Sequence, residues 1–129
     1  MNNTVKVIVI IVFMIVILVL NWLVGSYTDK AINNMEAGVA QLKKTLLAGN
    51  YEESKKQSEK LRDNWNEYEN KFAYFMDHEE IEKLSVKVAA IAENASNKEY
   101  ELALEDSIET KFLLEHVKDK LKWKLNNVF

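Results

Sequence analysis

The chain has 129 residues, no cysteine, no proline, three glycines and a formal net charge of −3. Without cysteine there is no disulfide framework, thiolate metal site or cysteine nucleophile. Without proline, long helices joined by short links are expected rather than an all-β fold. The small net charge names no partner, but it is unevenly spread. Asp77 to Glu109 holds ten acidic and three basic residues, and Lys111 to Lys124 holds two acidic and five basic. No basic face covers the whole chain, so no nucleic-acid partner is expected.

Every residue from Val7 to Leu20 is Val, Ile, Leu, Phe or Met, and after Asn21 the run continues through Trp22, Leu23 and Val24. About 18 residues of helix rise ~27 Å, close to the ~30 Å hydrocarbon core of a bilayer. In lipid the backbone must satisfy its own hydrogen bonds, so a span here is helical. Trp22 and Tyr27 stand where aromatic rings favour the membrane interface, and Asn21 lies beside them. Lys6 and the α-amino group flank the other end, which predicts a cytoplasmic N-terminus and a cell-membrane protein with its C-terminal domain outside. The rival is a signal peptide cleaved near Val24-Gly25-Ser26. The apolar run is longer than the usual ~7–15 residues of such peptides, which favours an uncleaved anchor. Residues 1–27 are thus expected to be the anchor and residues 28–129 the extracytoplasmic domain.

Four amphipathic helices are predicted to follow. The first, about Thr28 to Ala48, carries Ile32, Met35, Val39, Leu42 and Leu46 at alternating spacings of three and four. Gly49 suits the left-handed conformation of a helix end. Asn50 with Glu53 matches a capping box opening the second helix. There Tyr51, Ser54, Ser58, Leu61, Trp65, Tyr68, Phe72 and Phe75 form the stripe. The pattern then restarts at Ile81, Leu84, Val88, Ile91 and Ala95, placing a break near Met76 to His78, with Asp77 and Glu80 as a capping pair. Ser96 and Glu99 match another capping box before the last helix. Its seam is Tyr100, Ala103, Ser107, Thr110, Leu114, Val117 and Leu121, widened by Leu104, Ile108 and Leu113. The small residues of its first half would admit a close neighbour, beside the aromatics of the second helix. The fold class is all-α, a transmembrane helix followed by an antiparallel up-down four-helix bundle. Alternatives are two longer hairpins or a coiled coil completed by oligomerisation.

An even number of helices brings the tail back to the membrane. Lys118, Lys120, Lys122 and Lys124, interleaved with Trp123 and followed by Phe129, are candidates for the membrane surface or a partner. In the competing reading Leu121, Leu125 and Val128 finish the core while the lysines stabilise the helix end. Tyr74 falls off its stripe and is a further candidate contact. His78 and Glu82, one turn apart, are the weak candidates for a metal, set against a solvated acidic helix start. His116 is read as a surface histidine. Neither histidine pairs with a nucleophile, so no enzyme activity and no cofactor are expected.

The anchor, Trp65, the His78-Glu79-Glu80 stretch and the closing Leu125-Asn126-Asn127-Val128-Phe129 resemble a family of small single-span proteins of spore-forming Gram-positive bacteria, a domain of unknown function. The resemblance implies a helical extracytoplasmic domain and brings no activity, cofactor or substrate. The expected function is a non-enzymatic interaction module that meets the lipid bilayer and another membrane protein or its own copies. A ligand-sensing bundle and a metal-binding protein centred on His78 are the alternatives.

Overall fold

The stripes at three-and-four spacing become the buried helix faces, except that Tyr51 and Ile108, expected on them, lie at their edges and are exposed. A computed structural model describes residues 2–74 and 76–127, apart from the Leu125 side chain. Its elements are α1 (Asn3–Leu47), α2 (Tyr51–Phe72), α3 (His78–Ser96) and α4 (Tyr100–Asn127), with no strand among the described residues. The chain is an all-α helical bundle. α1 and α3 each pack against both α2 and α4. Phe75, Val128 and Phe129, expected on the second stripe and the tail, lie outside the described residues, as does the Leu125 side chain.

The first finding is continuity. The expected separate helix starting near Thr28 does not exist as such, because α1 runs unbroken from the apolar segment into the bundle. Gly25 alone does not stop it: a glycine inside a helix costs only ~1 kcal/mol relative to alanine. The Thr28 hydroxyl donates to the Val24 carbonyl at 2.7 Å, within the same helix. Ala31, Ile32, Met35, Val39, Leu42 and Leu46 are buried, whereas the side chains from Val7 to Leu20 are exposed.

Two of the three helix ends between elements use the same device. At the end of α1, Ala48 is the cap and Gly49 adopts φ +72°. The Gly49 N–H donates to the Leu46 carbonyl and the Asn50 N–H to that of Thr45. At the end of α3, Lys98 takes φ 62°, its N–H donates to Ala95 and that of Glu99 to Asn94. Both are Schellman turns. The second replaces the expected capping box, because Ser96 is the last residue of α3 rather than a cap of α4. The Asn50 box is half made. Its side chain accepts from the Glu53 N–H at 3.4 Å, while the Glu53 carboxylate receives the Gln57 amide instead.

The predicted break between α2 and α3 is real, but the Asp77–Glu80 capping pair does not form. Asp77 stands at the N-cap with extended backbone and no side-chain cap bond. Its carboxylate is turned to Lys120 and Lys124 of α4. Two charge-assisted partners outcompete one backbone amide.

Core composition changes along the bundle. Where α1 enters it, Tyr27, Trp65, Tyr68 and Phe72 gather, with the ring of Tyr27 edge-on to those of Tyr68 and Phe72. Toward the α1–α2 turn, Thr45, Ser54, Ser58, Ala103 and Ser107 are buried. Each of these hydroxyls bonds within the protein: Thr45 to the Leu42 carbonyl, Ser54 to that of Asn50, Ser58 to Lys55 and Ser107 to Ala103. The Ser54 hydroxyl also reaches that of Thr45 at 3.0 Å. Close helix approach therefore leaves none of these four hydroxyls unpaired. Gly38 serves the same end, since a Cβ at that position would stand 3.0 Å from a Leu61 methyl.

Candidate interaction surfaces

Two surfaces stand out. The first is the end where α1 enters the bundle. Phe72 packs on Tyr27, and Lys71 lies 5.3 Å over the Tyr27 ring, so the α2–α3 link belongs to this end. The Tyr68 hydroxyl accepts from the Asn34 amide at 2.9 Å, while the buried hydroxyl of Tyr27 has no partner among the described residues. Trp65 donates its indole N–H to the Ser85 hydroxyl on α3, which in turn donates to the Glu69 carboxylate, each at 2.8 Å. The polar tips of Trp65 and Tyr68 thus reach α3 and α1. Tyr51, at the start of α2, stacks on Tyr100 of α4, ring centroids 3.7 Å apart.

The tail lysines arrive at this same end, and most are engaged. Lys118 donates to the Asn33 amide oxygen at 2.9 Å and faces Glu36 at 3.6 Å. Lys120 binds Asp77 and lies 3.4 Å from Glu80, and Lys124 lies 3.3 Å from Asp77. Hydrogen bonds from Lys120 and then Lys124 hold the Asp77 carboxyl below its ordinary value. The same bond to Asp77 raises Lys120, against a smaller effect of burial. Lys122 has no ion-pair or hydrogen-bond partner among the described residues. Trp123 is 68% exposed and Tyr74 89%.

The second surface is a groove of ≈ 740 Å³ between α3 and α4, lined by Glu79, Glu82, Lys87, Glu109, Phe112 and His116 among others. Val86 and Phe112, 61% and 63% exposed, give it an apolar floor. Lys83 is paired with Glu79, and Lys87 with Asp106 and Glu109. The Lys87 ammonium is raised by its bond to Glu109, which outweighs the lowering effect of burial. With those cations neutralised, Glu82 leaves the groove's rim acidic. His116 stands 3.6 Å from Glu80. Sequence reasoning missed this groove. Its signal was two large apolar residues, Val86 and Phe112, lying off their helices' stripes.

The weak metal pair is exposed at the start of α3, His78 as its first residue and Glu82 one turn on. No group of three or more His, Asp or Glu side chains converges among the described residues.

Residues 22–128 match the domain of unknown function DUF4363. The chain belongs to this family. The DUF4363 match opens at Trp22, at the end of the apolar run, and covers the packed part of α1 together with all of α2, α3 and α4. No curated protein and no solved structure matches the chain.

Proposed function

We propose that this DUF4363 protein is a single-span membrane protein: residues 1–27 anchor it, and residues 28–129 form an antiparallel up-down four-helix bundle outside the cytoplasm. The bundle is read as a non-enzymatic interaction module for another membrane protein. One observation carries the reading: α1 is one helix, bare and apolar over its first half and core-forming over its second. At ~1.5–3 kcal/mol for each buried aliphatic side chain, the fourteen residues from Val7 to Leu20 hold roughly 20–40 kcal/mol of unburied apolar surface. That exceeds the ~5–15 kcal/mol by which a whole domain is stable. Only an apolar medium removes such a cost, and one helix of this length and composition is present among the described residues.

Helical continuity through Val24-Gly25-Ser26 supports an anchor over a cleaved leader, because processing there would sever α1 next to buried Thr28. The antiparallel arrangement is supported by contacts that run in opposite chain order, Tyr27 with Phe72 and Thr45 with Ser54. The partner chemistry follows from the α3–α4 groove: a helical segment with apolar side chains flanked by basic ones would fill the floor and meet the acidic rim.

A photo-crosslinking residue at Phe112 of the membrane-embedded full chain should capture a defined membrane protein in intact cells. Glu82→Lys with Glu109→Lys should abolish the adduct. Recovery of monomer alone refutes the interaction reading, and capture of the chain's own copies replaces the partner with self-association. The groove's volume also lies within the ~300–1,000 Å³ of small-ligand pockets, which favours ligand sensing as the second reading. Thermal-shift screening tests it, since a ligand specific for the native state raises the melting temperature.

A further inference from the structure

We propose that the underside of the bundle, the α2–α3 link around Tyr74 and the last turns of α4 around Lys122 and Trp123, seats in the headgroup layer of the bilayer that α1 crosses. This rests on reading Val7–Val24 as a span, and it adds a second, aromatic contact with lipid.

Heights along α1 place both elements. Phe72 lies against Tyr27, so the link that follows it stands level with the stretch of α1 just before Tyr27. Lys118 reaches Asn33 and Glu36. Trp123 lies about 7 Å farther along α4, at ~1.5 Å per residue, which brings it level with the α1 turn just after Tyr27. A bilayer is ~30 Å thick in its hydrocarbon and ~40–45 Å with its headgroups, leaving roughly 5–8 Å of polar layer on each side. Measured up from Val24, that layer covers about the next four or five residues of α1 at ~1.5 Å each. Tyr74 falls within it and Trp123 at its outer edge.

The side chains fit that layer. Tyr74, Trp22 and Trp123 are the three most exposed large hydrophobic residues described, at 89%, 69% and 68%, and all three lie at this end. Tyr and Trp prefer the interface because a flat apolar ring ends there in a polar group that stays wet. The charges of the link fit as well. Asp77, the carboxylate in the link itself, is matched by Lys120 and Lys124, which leaves exposed Asp29 on α1 as the carboxylate at this level without an ion-pair partner among the described residues. With Lys118 also engaged, Lys122 is the tail lysine left without a partner among the described residues. The contact is therefore aromatic rather than polybasic, and it does not depend on anionic lipid.

The chain's lack of cysteine allows single-site spin labelling of the full chain in vesicles of phosphatidylcholine, with and without phosphatidylglycerol. Labels go at Ala73→Cys and Asn126→Cys beside the aromatics, at Ile15→Cys inside the span, and at Ala48→Cys at the far end. The ratio of oxygen to nickel-complex collisions should be highest at position 15, lowest at 48, and intermediate at 73 and 126 in both lipids. Adding Tyr74→Ser and Trp123→Ser should move 73 and 126 toward the value at 48. If 73 and 126 match 48 while 15 reads hydrocarbon, the seated underside is overturned and the span stands. If 15 itself reads aqueous, the span reading fails and takes this proposal with it. An intermediate value confined to the anionic vesicles overturns the aromatic basis of the contact.

Discussion

The two ends of the bundle are built on different principles. Where α1 enters, the core is made of rings: Tyr27, Trp65, Tyr68 and Phe72 fill space, and the polar tips of Trp65 and Tyr68 reach across to α3 and α1. At the other end, inside the Tyr51–Tyr100 stack, the buried side chains include small hydroxyl residues, and each of their hydroxyls turns back to a nearby carbonyl of its own helix or its cap. Large side chains resist truncation, because the hole cannot close. Small ones resist enlargement, because the backbones are already near. The two ends should therefore fail under opposite substitutions.

Trp65→Ala should have the largest effect, a loss of about 3–5 kcal/mol in unfolding of the full chain in detergent. A loss under 1 kcal/mol would mean that the ring cluster collapses onto the hole and that the contrast is unfounded. At the far end Ser107→Leu should cost about 1–3 kcal/mol through overpacking, whereas Ser107→Ala should be nearly silent because the lost bond is local. Equal losses in the two variants would show that the hydroxyl, not the space, matters. The two far-end turns form a matched pair. Gly49→Ala should destabilise by about 1–2 kcal/mol and Lys98→Gly should stabilise, because both positions sit in the left-handed region that penalises a Cβ. Identical signs would contradict the Schellman geometry.

At the ring end, Tyr27→Phe removes a buried hydroxyl that lacks a partner, and should leave stability unchanged or raise it by up to about 1 kcal/mol. A clear loss would reveal a bond to that oxygen. The smallest effect belongs to Asp77→Asn and is visible only as a pH dependence. A carboxyl held below its ordinary value adds stability above that ordinary value, about pH 3.9, and loses it as pH falls through the lowered value of the folded state. Wild type should thus lose more stability than the variant on acidification from above about pH 3.9 down through the lowered value of the folded state. Parallel curves would show that the clamp to Lys120 and Lys124 contributes nothing.

The helix faces were legible because a stripe at three-and-four spacing is a direct projection of helical geometry onto sequence. Ile32 to Leu46, Ile81 to Ala95 and Ala103 to Leu121 were all read in that way, and their restart gave the break before His78. What was not legible depended on competition over distance. Asp77 looks like a cap until Lys120 and Lys124, more than forty residues away, claim its carboxylate. Ser96 has the composition of a cap, yet a Schellman turn through Lys98 satisfies the same backbone groups first. Of the surfaces, the exposure of Tyr74 followed from its place off the stripe. The tail lysines are legible as a surface for lipid or a partner, or as stabilisers of a helix end. The partners that engage three of them, however, come from the start of the α1 core, the α2–α3 link and α3.

The unbroken α1 also has a mechanical meaning. A helix of 45 residues is a rod of about 68 Å at ~1.5 Å per residue, and it fixes the bundle's heading relative to the apolar segment by torsion rather than by a joint. One residue inserted between Ser26 and Tyr27 would swing everything beyond it through about 100°, the turn per residue of a 3.6-fold helix. The α3–α4 groove would then face a different side of the apolar segment while its own chemistry stayed intact. Which way the domain looks is thus written in the phase of a single helix.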